Sequence, residues 1–261
     1  MPEASVARHG GAVPGTNPSA LESNSRWAAV LSAVGGFVDA AGFLVILGLF
    51  TAHMSGNSTG LGVALATGHW GEALRRGFVI PVFVLFTAAG VGWIEASSSA
   101  SSPPPSRERV LAQVLTVEIV LLLLFLAVAG TSSRPLSLEA NPSGFFLAAT
   151  AATAAMGLQN AALRKVNHTG VHTTFVTGML TELAVSSVRW WLHRRRGATE
   201  EAREARSAAT IAASVWSSYA VGALIGAYLV SRYGITTLAV PVLLLATLVG
   251  RLFRSSKNPL P

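Results

Sequence analysis

The most informative stretch of the sequence is GFVDAAGFLVILGLFTAHMSGNSTGLG, residues Gly36 to Gly62. It begins as an apolar helix that contains Asp39, and it ends in a Gly-rich polar break where the chain should still be inside a membrane. A related pattern, GLQNAALRKVNHTGVHTTFVTGMLTEL, returns from Gly157 to Leu183. The two stretches predict two fused copies of one membrane unit, with a polar centre where the copies meet.

Polar residues at matching places carry this internal repeat, whereas the later segments of the two copies match in hydropathy alone. The matched pairs are Asp39 with Asn160, Thr51 with Thr173, and Ser55-Gly56 with Thr177-Gly178.

Composition indicates a membrane protein. Of the 261 residues, 51% are hydrophobic and only 12% are charged, which is about half the charged share of a soluble domain. Several apolar runs reach the roughly 20 residues that a helix needs to cross about 30 Å of hydrocarbon. The net charge of +7 comes from basic residues between these runs. This pattern is typical of topology determinants and argues against nucleic-acid binding.

The apolar runs predict an all-α, polytopic transmembrane helix bundle with six to eight membrane segments. The predicted segments are about 27–50, 54–67, 78–96, 110–129, 143–163, 171–192, 208–230 and 236–253. The predicted domains are a disordered cytoplasmic tail (1–26), a first membrane repeat (27–130), a linker (131–142), a second membrane repeat (143–253) and a cytoplasmic tail (254–261). The Pro-rich stretch 97–106 is predicted to be a loop, and the charged stretch 197–206 a loop or a surface helix.

The second and sixth segments leave the topology open. If both cross the bilayer, four crossings per copy give parallel repeats; if neither does, three crossings give inverted repeats, as in many alternating-access transporters. In both cases most of the 19 Lys and Arg residues fall on the side of the termini. The protein is therefore predicted to lie in a bacterial inner membrane with both termini in the cytoplasm. The arginines after Trp190-Trp191 are predicted to lie near anionic lipid headgroups.

Asp39 lies about halfway along the first segment, where an unpaired charge costs at least roughly 2.5 to 3.5 kcal/mol. Such a residue must be paired, protonated or in contact with water. One interpretation is a proton or cation site. The other is a structural carboxylate that is hydrogen-bonded to a hydroxyl or amide of a neighbouring helix.

The residues after the first apolar helix, Ser55 to Thr59, predict non-helical backbone within the membrane. Such backbone is tolerated where it is buried in protein or lines a watery cavity. A half-helix that begins there would direct backbone N–H groups at the midplane, which favours an anionic ligand. The alternative is close helix packing, because Gly56 and Gly60 form a GxxxG pattern.

The predicted substrate or ion pathway combines the polar residues of the two copies. Its members are Asp39, His53, Ser55, Asn57, Gln159, Asn160, Thr177, Thr181 and Glu182, with Gly56 and Gly178 as helix-break glycines. His53 and His172 flank the two breaks and are candidates for proton relay or for the aqueous interface. Glu118 is a further intramembrane carboxylate without a repeat counterpart, and Gly222 and Gly226 are predicted to serve packing.

Other chemistry has little sequence support. The chain has no cysteine, and its six histidines do not form an HExxH or comparable metal-ligand spacing. No GxSxG or paired-aspartate motif occurs, so we expect neither an enzyme nor a cofactor or metal site.

Four motifs resemble the YoaK family of bacterial multi-pass membrane proteins, a domain of unknown function. They are GGFVDAAGF (Gly35 to Phe43), HMSGN (His53 to Asn57), AMGLQNA (Ala155 to Ala161) and VTGMLT (Val176 to Thr181). The resemblance extends over about residues 27–253 and implies an inner-membrane protein, without implying a substrate.

The sequence thus favours a small secondary transporter or facilitator for a small molecule or an ion, with a polar midplane site between two repeats. Asp39 is the candidate carrier of a coupling proton. The alternatives are a non-transporting membrane scaffold whose polar residues hold helices together, and a channel. The oligomeric state is left open.

Overall fold

The computed structural model describes residues 18–99, 106–132, 135–166 and 176–257. Within these ranges the chain is helical and contains no strand, which confirms the all-α prediction. The helices are α1 (Pro18–Val45), α2 (Met54–Ala66), α3 (Trp70–Ser99), α4 (Arg107–Gly130), α5 (Pro142–Val166), α6 (Val176–Arg195), α7 (Thr199–Tyr233) and α8 (Ala239–Lys257), with a 3-10 turn at Ile235–Leu238.

Six of the described helices, namely α1, α3, α4, α5, α7 and α8, are long and apolar enough to cross a membrane. Helix α2 has 13 residues and is therefore about 20 Å long, which is shorter than the hydrocarbon core. Helix α6 is longer, but it contains Glu182 and Arg189 and ends in basic residues. The protein is accordingly a multi-pass helical membrane protein, and each half contributes three candidate spans.

Helices α1, α3 and α7 begin earlier than the sequence predicts, and α3 begins at Trp70 rather than at about residue 78. Helix α1 begins at Pro18, so the last part of the predicted disordered tail is helical, while residues 1–17 lie outside the described ranges. Helix α7 begins at Thr199 and includes most of the charged stretch 197–206. Ala202 and Ala205 are buried there, and this helical spacing of small residues among charged ones carries the helix beyond the apolar run.

The polar break also lies earlier than predicted. Leu47 and Gly48 have φ angles of 46° and 77°, which end α1, and the N–H of Leu136 donates to the carbonyl of Val45 at 2.8 Å. The chain is non-helical from there to His53. Residues 55–59, predicted to be non-helical, instead form the first turns of α2.

Helix α5 lies at the centre of the bundle. In its apolar stretch 83% of the residues are buried, and the helix packs against α1, α3 and α4. Its buried face consists mainly of alanine, which lets the neighbouring helices approach closely. In contrast, large apolar side chains such as Leu85, Leu224 and Leu243 are exposed on the outer helices. This is the distribution expected for a bundle surrounded by lipid.

Glycines bring α1 and α7 into backbone contact. A Cβ atom at Gly36 would lie 2.1 Å from the carbonyl oxygen of Tyr219, and one at Gly222 would lie 2.0 Å from that of Ala33. A Cβ at Gly226 would lie 2.8 Å from the backbone of Phe37. The packing role predicted for Gly222 and Gly226 is confirmed.

Candidate functional site

Asp39 is the centre of a hydrogen-bond network that joins three parts of the fold. Its side chain is 2% exposed. Its Oδ1 accepts hydrogen bonds from the N–H of Thr51 at 2.6 Å, the N–H of Ala52 at 2.8 Å and the hydroxyl of Thr51 at 3.2 Å. Its Oδ2 accepts one from the hydroxyl of Tyr219 at 2.6 Å. The carboxylate therefore holds the non-helical break and α7 against α1.

Asn57 closes the break from the side of α2. Its Nδ2 donates to the carbonyl of Phe50 at 2.7 Å, and its Oδ1 accepts from the N–H of Phe50 at 3.2 Å. The side chain is fully buried. Gly56, one residue earlier, leaves room for the Phe50 ring, because a Cβ there would lie 3.0 Å from the ring. Asn57 and Gly56 thus fix the entry of the chain into α2.

Two adjoining cavities lie where the two halves of the chain meet. The Tyr219 cavity has a volume of about 60 Å³ and includes Gln159 and Tyr219 in its wall. The His53 cavity has a volume of about 40 Å³ and includes His53 in its wall. Both are lined by Ala52, Phe83, Asn160 and Val176. Each can hold a few water molecules, because a single water needs a cavity of about 10 to 15 Å³.

The N-termini of α2 and α6 converge on the His53 cavity. Its wall includes Met54 and Ser55, the first two residues of α2, and Val176 and Thr177, the first two residues of α6. The first N–H groups of a helix have no partner within the helix and carry a partial positive charge. In α2 the N–H groups of Met54 and Gly56 already donate to the carbonyls of Ala52 and His53 at 3.1 Å, so the two helix ends direct positive potential at the same small volume.

Helix α5 supplies hydrogen-bond acceptors to the cavity walls. Gln159 is 3% exposed, and its Nε2 donates to the carbonyl of Leu31 at 2.7 Å. Its Oε1 and the Oδ1 of Asn160 are buried and have no hydrogen-bond partner among the described residues. Buried polar atoms are nearly always paired in folded proteins. These two oxygens are therefore available to water or to a ligand.

The structure brings together only some of the predicted pathway residues. His53, Ser55, Asn160 and Thr177 line one cavity, and Gln159 lines the adjoining one. Asp39 stands behind the wall, bonded to Ala52 and Tyr219, which both line the Tyr219 cavity.

Thr181 and Glu182 make contacts within their own helix. The hydroxyl of Thr181 donates to the carbonyl of Thr177 at 3.1 Å, and Glu182 Oε1 accepts from the hydroxyl of Ser186 at 2.5 Å. Gly178 lies in the first turn of α6. The predicted candidates His172 and Thr173 lie outside the described residues.

Three residues of interest escaped the sequence prediction or were given little weight. Tyr219 and Trp216 line the Tyr219 cavity from α7. The apolar sequence around them does not indicate which way their side chains point. Glu118 in α4 is fully buried, and neither of its carboxylate oxygens has a partner in the described part of the chain. It does not line either cavity.

A family model described as a protein of unknown function, DUF1275, matches residues 27–250. The chain belongs to this family. The match extends from the middle of α1 to α8, and it confirms the resemblance to YoaK, which is included in DUF1275. Searches of the curated proteins and of the solved structures found no match. The family description names no activity, and the membrane assignment rests on the six candidate spans.

Proposed function

We propose that this DUF1275 protein is a small transporter or facilitator of the bacterial inner membrane, and that its solute binds in the His53 and Tyr219 cavities. The observation that carries the proposal is the convergence of two helix N-termini and two unpartnered amide oxygens on adjoining cavities between the halves of the chain. In transporters, such sites lie near the bilayer midplane at the interface between repeats, where helices are interrupted.

The two halves are inverted repeats in this proposal. Three candidate spans per half give an odd number of crossings, so the second copy enters the membrane with the opposite orientation. The helix contacts support this pairing, because α1 packs against α7 and the corresponding α5 packs against α3. Both termini then lie on one side, and the excess of basic residues there supports a cytoplasmic location for that side.

Equivalent glycines mediate these exchanged contacts. Gly36 and Gly157 each stand three residues before the matched pair Asp39 and Asn160. A Cβ at Gly36 would approach the backbone of α7, and one at Gly157 would lie 3.0 Å from the carbonyl oxygen of Phe83 in α3. The same position in each copy thus contacts the third helix of the other copy. This correspondence supports the internal repeat.

The chemistry of the cavities limits the solute. The hydroxyls of Ser55 and Thr177 offer hydrogen-bond donors, whereas Gln159 and Asn160 offer acceptors. Both volumes are far below the roughly 300 to 1,000 Å³ of ordinary ligand pockets. The solute is therefore small and polar, and it both accepts and donates hydrogen bonds. In this proposal Asp39 couples transport to proton movement through Tyr219, which lines the cavity.

A scaffold without transport is the second candidate, and one observation favours it. Asp39 and Asn57, the two most deeply buried polar residues of the first repeat's pathway, have their hydrogen-bonding groups satisfied by the fold itself. Residues of this kind can serve to fix helices alone. The cavities and the unpartnered oxygens of α5 have no role in a scaffold, so we place the transporter first.

Reconstituted proteoliposomes test the proposal. Vesicles with and without the protein are exposed to gradients of small polar solutes and ions, and solute entry is followed by light scattering. We expect the protein to admit at least one of them, and Asn160→Leu, which fills the cavity, to abolish this entry. Leu147→Ala, on an exposed part of the same helix, is the matched control and should leave entry unchanged. Equal entry with wild type and Asn160→Leu would exclude the site.

A further inference from the structure

A further pocket lies at the junction of α6 and α7, toward the other end of α6 from the residues that line the two cavities described above. It has a volume of about 370 Å³ and opens to the surface. Gly197, with a φ of 70°, makes the turn between the two helices, and no atom lies within 4 Å of where its Cβ would be. Glycine adopts this left-handed conformation without strain, so Gly197 supplies the tight turn that places the start of α7 beside the end of α6.

Three arginines line this pocket. Arg194 comes from the end of α6, and Arg203 and Arg206 come from one face of α7, three residues apart. Among the described residues, the one salt bridge joins Arg76 to Glu72. None of the three guanidinium groups is thus paired with a carboxylate in that part of the chain. The pocket thus concentrates three guanidinium groups, although Glu200 and Glu201 in the first turn of α7 reduce the net positive charge around it.

The backbone adds hydrogen-bond donors to the same pocket. Thr199 begins α7 and lines the pocket, and Ala198 before it offers no side chain to cap the helix. The N-terminal N–H groups of this 35-residue helix favour a bound anion. Trp190 forms the apolar wall, with the guanidinium of Arg194 at 5.7 Å from its ring centroid.

We propose that this pocket, the α6–α7 pocket, binds a phosphate group. Guanidinium groups bind phosphate oxygens in pairs of parallel hydrogen bonds, and a helix N-terminus completes such a site. An anionic phospholipid headgroup is one source, since Trp191 and Leu192, which follow Trp190 along α6, present exposed apolar surface. A soluble phosphate compound is the other source. The proposal is independent of transport through the bundle.

Thermal unfolding of delipidated protein in a neutral detergent tests the proposal. The probes are a short-chain phosphatidylglycerol, the matching phosphatidylcholine and inorganic phosphate, each titrated to give an apparent Kd. We expect phosphatidylglycerol to raise the unfolding temperature more than phosphatidylcholine. The double variant Arg203→Gln/Arg206→Gln should weaken that binding by at least about tenfold, because it removes two charged partners.

The control carries Arg232→Gln and Arg251→Gln, two exposed arginines outside the pocket, and should bind as wild type does. If inorganic phosphate stabilises the protein and abolishes the effect of phosphatidylglycerol, the site takes soluble phosphates; if phosphatidylglycerol alone acts, it takes lipid. No stabilisation by either probe, or equal losses in both double variants, would overturn the proposal. The single variant Arg203→Gln gives the same comparison if the double variant does not fold.

Discussion

The hydroxyl of Tyr219 in α7 donates a hydrogen bond of 2.6 Å to Oδ2 of Asp39 in α1, across 180 residues of sequence. The other carboxylate oxygen is bonded to the break that precedes α2. Asp39 is therefore the point at which the first helix, the break and the second half of the chain are joined. Tyr219 also lines a cavity, so this bond connects the structural centre with the candidate site.

Replacing Tyr219 with phenylalanine removes one hydrogen bond to a buried carboxylate and keeps the ring. We expect Tyr219→Phe to lower the free energy of unfolding by roughly 1 to 2 kcal/mol, as measured by denaturation of the solubilised protein. Tyr228→Phe, at an exposed position of the same helix, is the matched control and should have little effect. Equal stability of the two variants would show that the Asp39 contact contributes nothing.

Asp39 itself should tolerate an amide better than an apolar side chain. Asn keeps an oxygen that can accept from the N–H groups of Thr51 and Ala52, whereas Asp39→Leu leaves both N–H groups buried without a partner. We expect Asp39→Leu to be less stable than Asp39→Asn by about 2 kcal/mol or more. In transport assays, pH-independent and unimpaired activity of Asp39→Asn would rule out its coupling role.

Gly36 tests the close approach of α1 and α7. A Cβ at this position would lie 2.1 Å from the carbonyl oxygen of Tyr219, so Gly36→Ala must force the two backbones apart. We expect a loss of several kcal/mol or failure to fold, of the order found for overpacking or more. Gly62→Ala is the control, because no atom lies within 4 Å of its Cβ and alanine favours a helix. A mild effect at Gly36 would contradict the packing described.

The Glu118 side chain should lower the free energy of unfolding. Its carboxylate is fully buried and has no partner among the residues that the structure describes. We therefore expect Glu118→Leu to raise the free energy of unfolding by about 1 to 3 kcal/mol. Glu139→Leu, at an exposed position between α4 and α5, controls for the loss of a charge. A large destabilisation by Glu118→Leu would reveal a partner or a bound ion.

The sequence predicts the helices well because their signal is local. Apolar runs of sufficient length mark the spans, and the shortness of the second segment already sets it apart. The start of α7 was harder to predict, because charged residues near Ala202 and Ala205 hide a buried small-residue face that becomes visible only when α6 packs against it.

The sequence predicts only part of the candidate site. The repeat predicts that Asn160 and Thr177 stand with Ser55, and one cavity brings these residues together. It does not predict Tyr219 as the partner of Asp39, since that contact depends on how α7 packs against α1 through Gly36 and Gly222. Nor does it reveal that the side-chain amide of Asn57 is hydrogen-bonded to the backbone of Phe50, because that pairing depends on the backbone φ angles at Leu47 and Gly48.

Transport through this protein requires that water and a solute reach the His53 cavity. The chain has no cysteine, so single cysteines at Ser55 and Thr177 can be labelled with a membrane-impermeant maleimide in intact cells and in inside-out vesicles. Leu85→Cys, exposed on the outside of α3, is the lipid-facing control, because a thiol reacts only where water allows the thiolate to form. We predict that both cavity positions are labelled and that Leu85→Cys is not. Absence of labelling at Ser55 and Thr177 from either face would contradict the transport site and favour the scaffold.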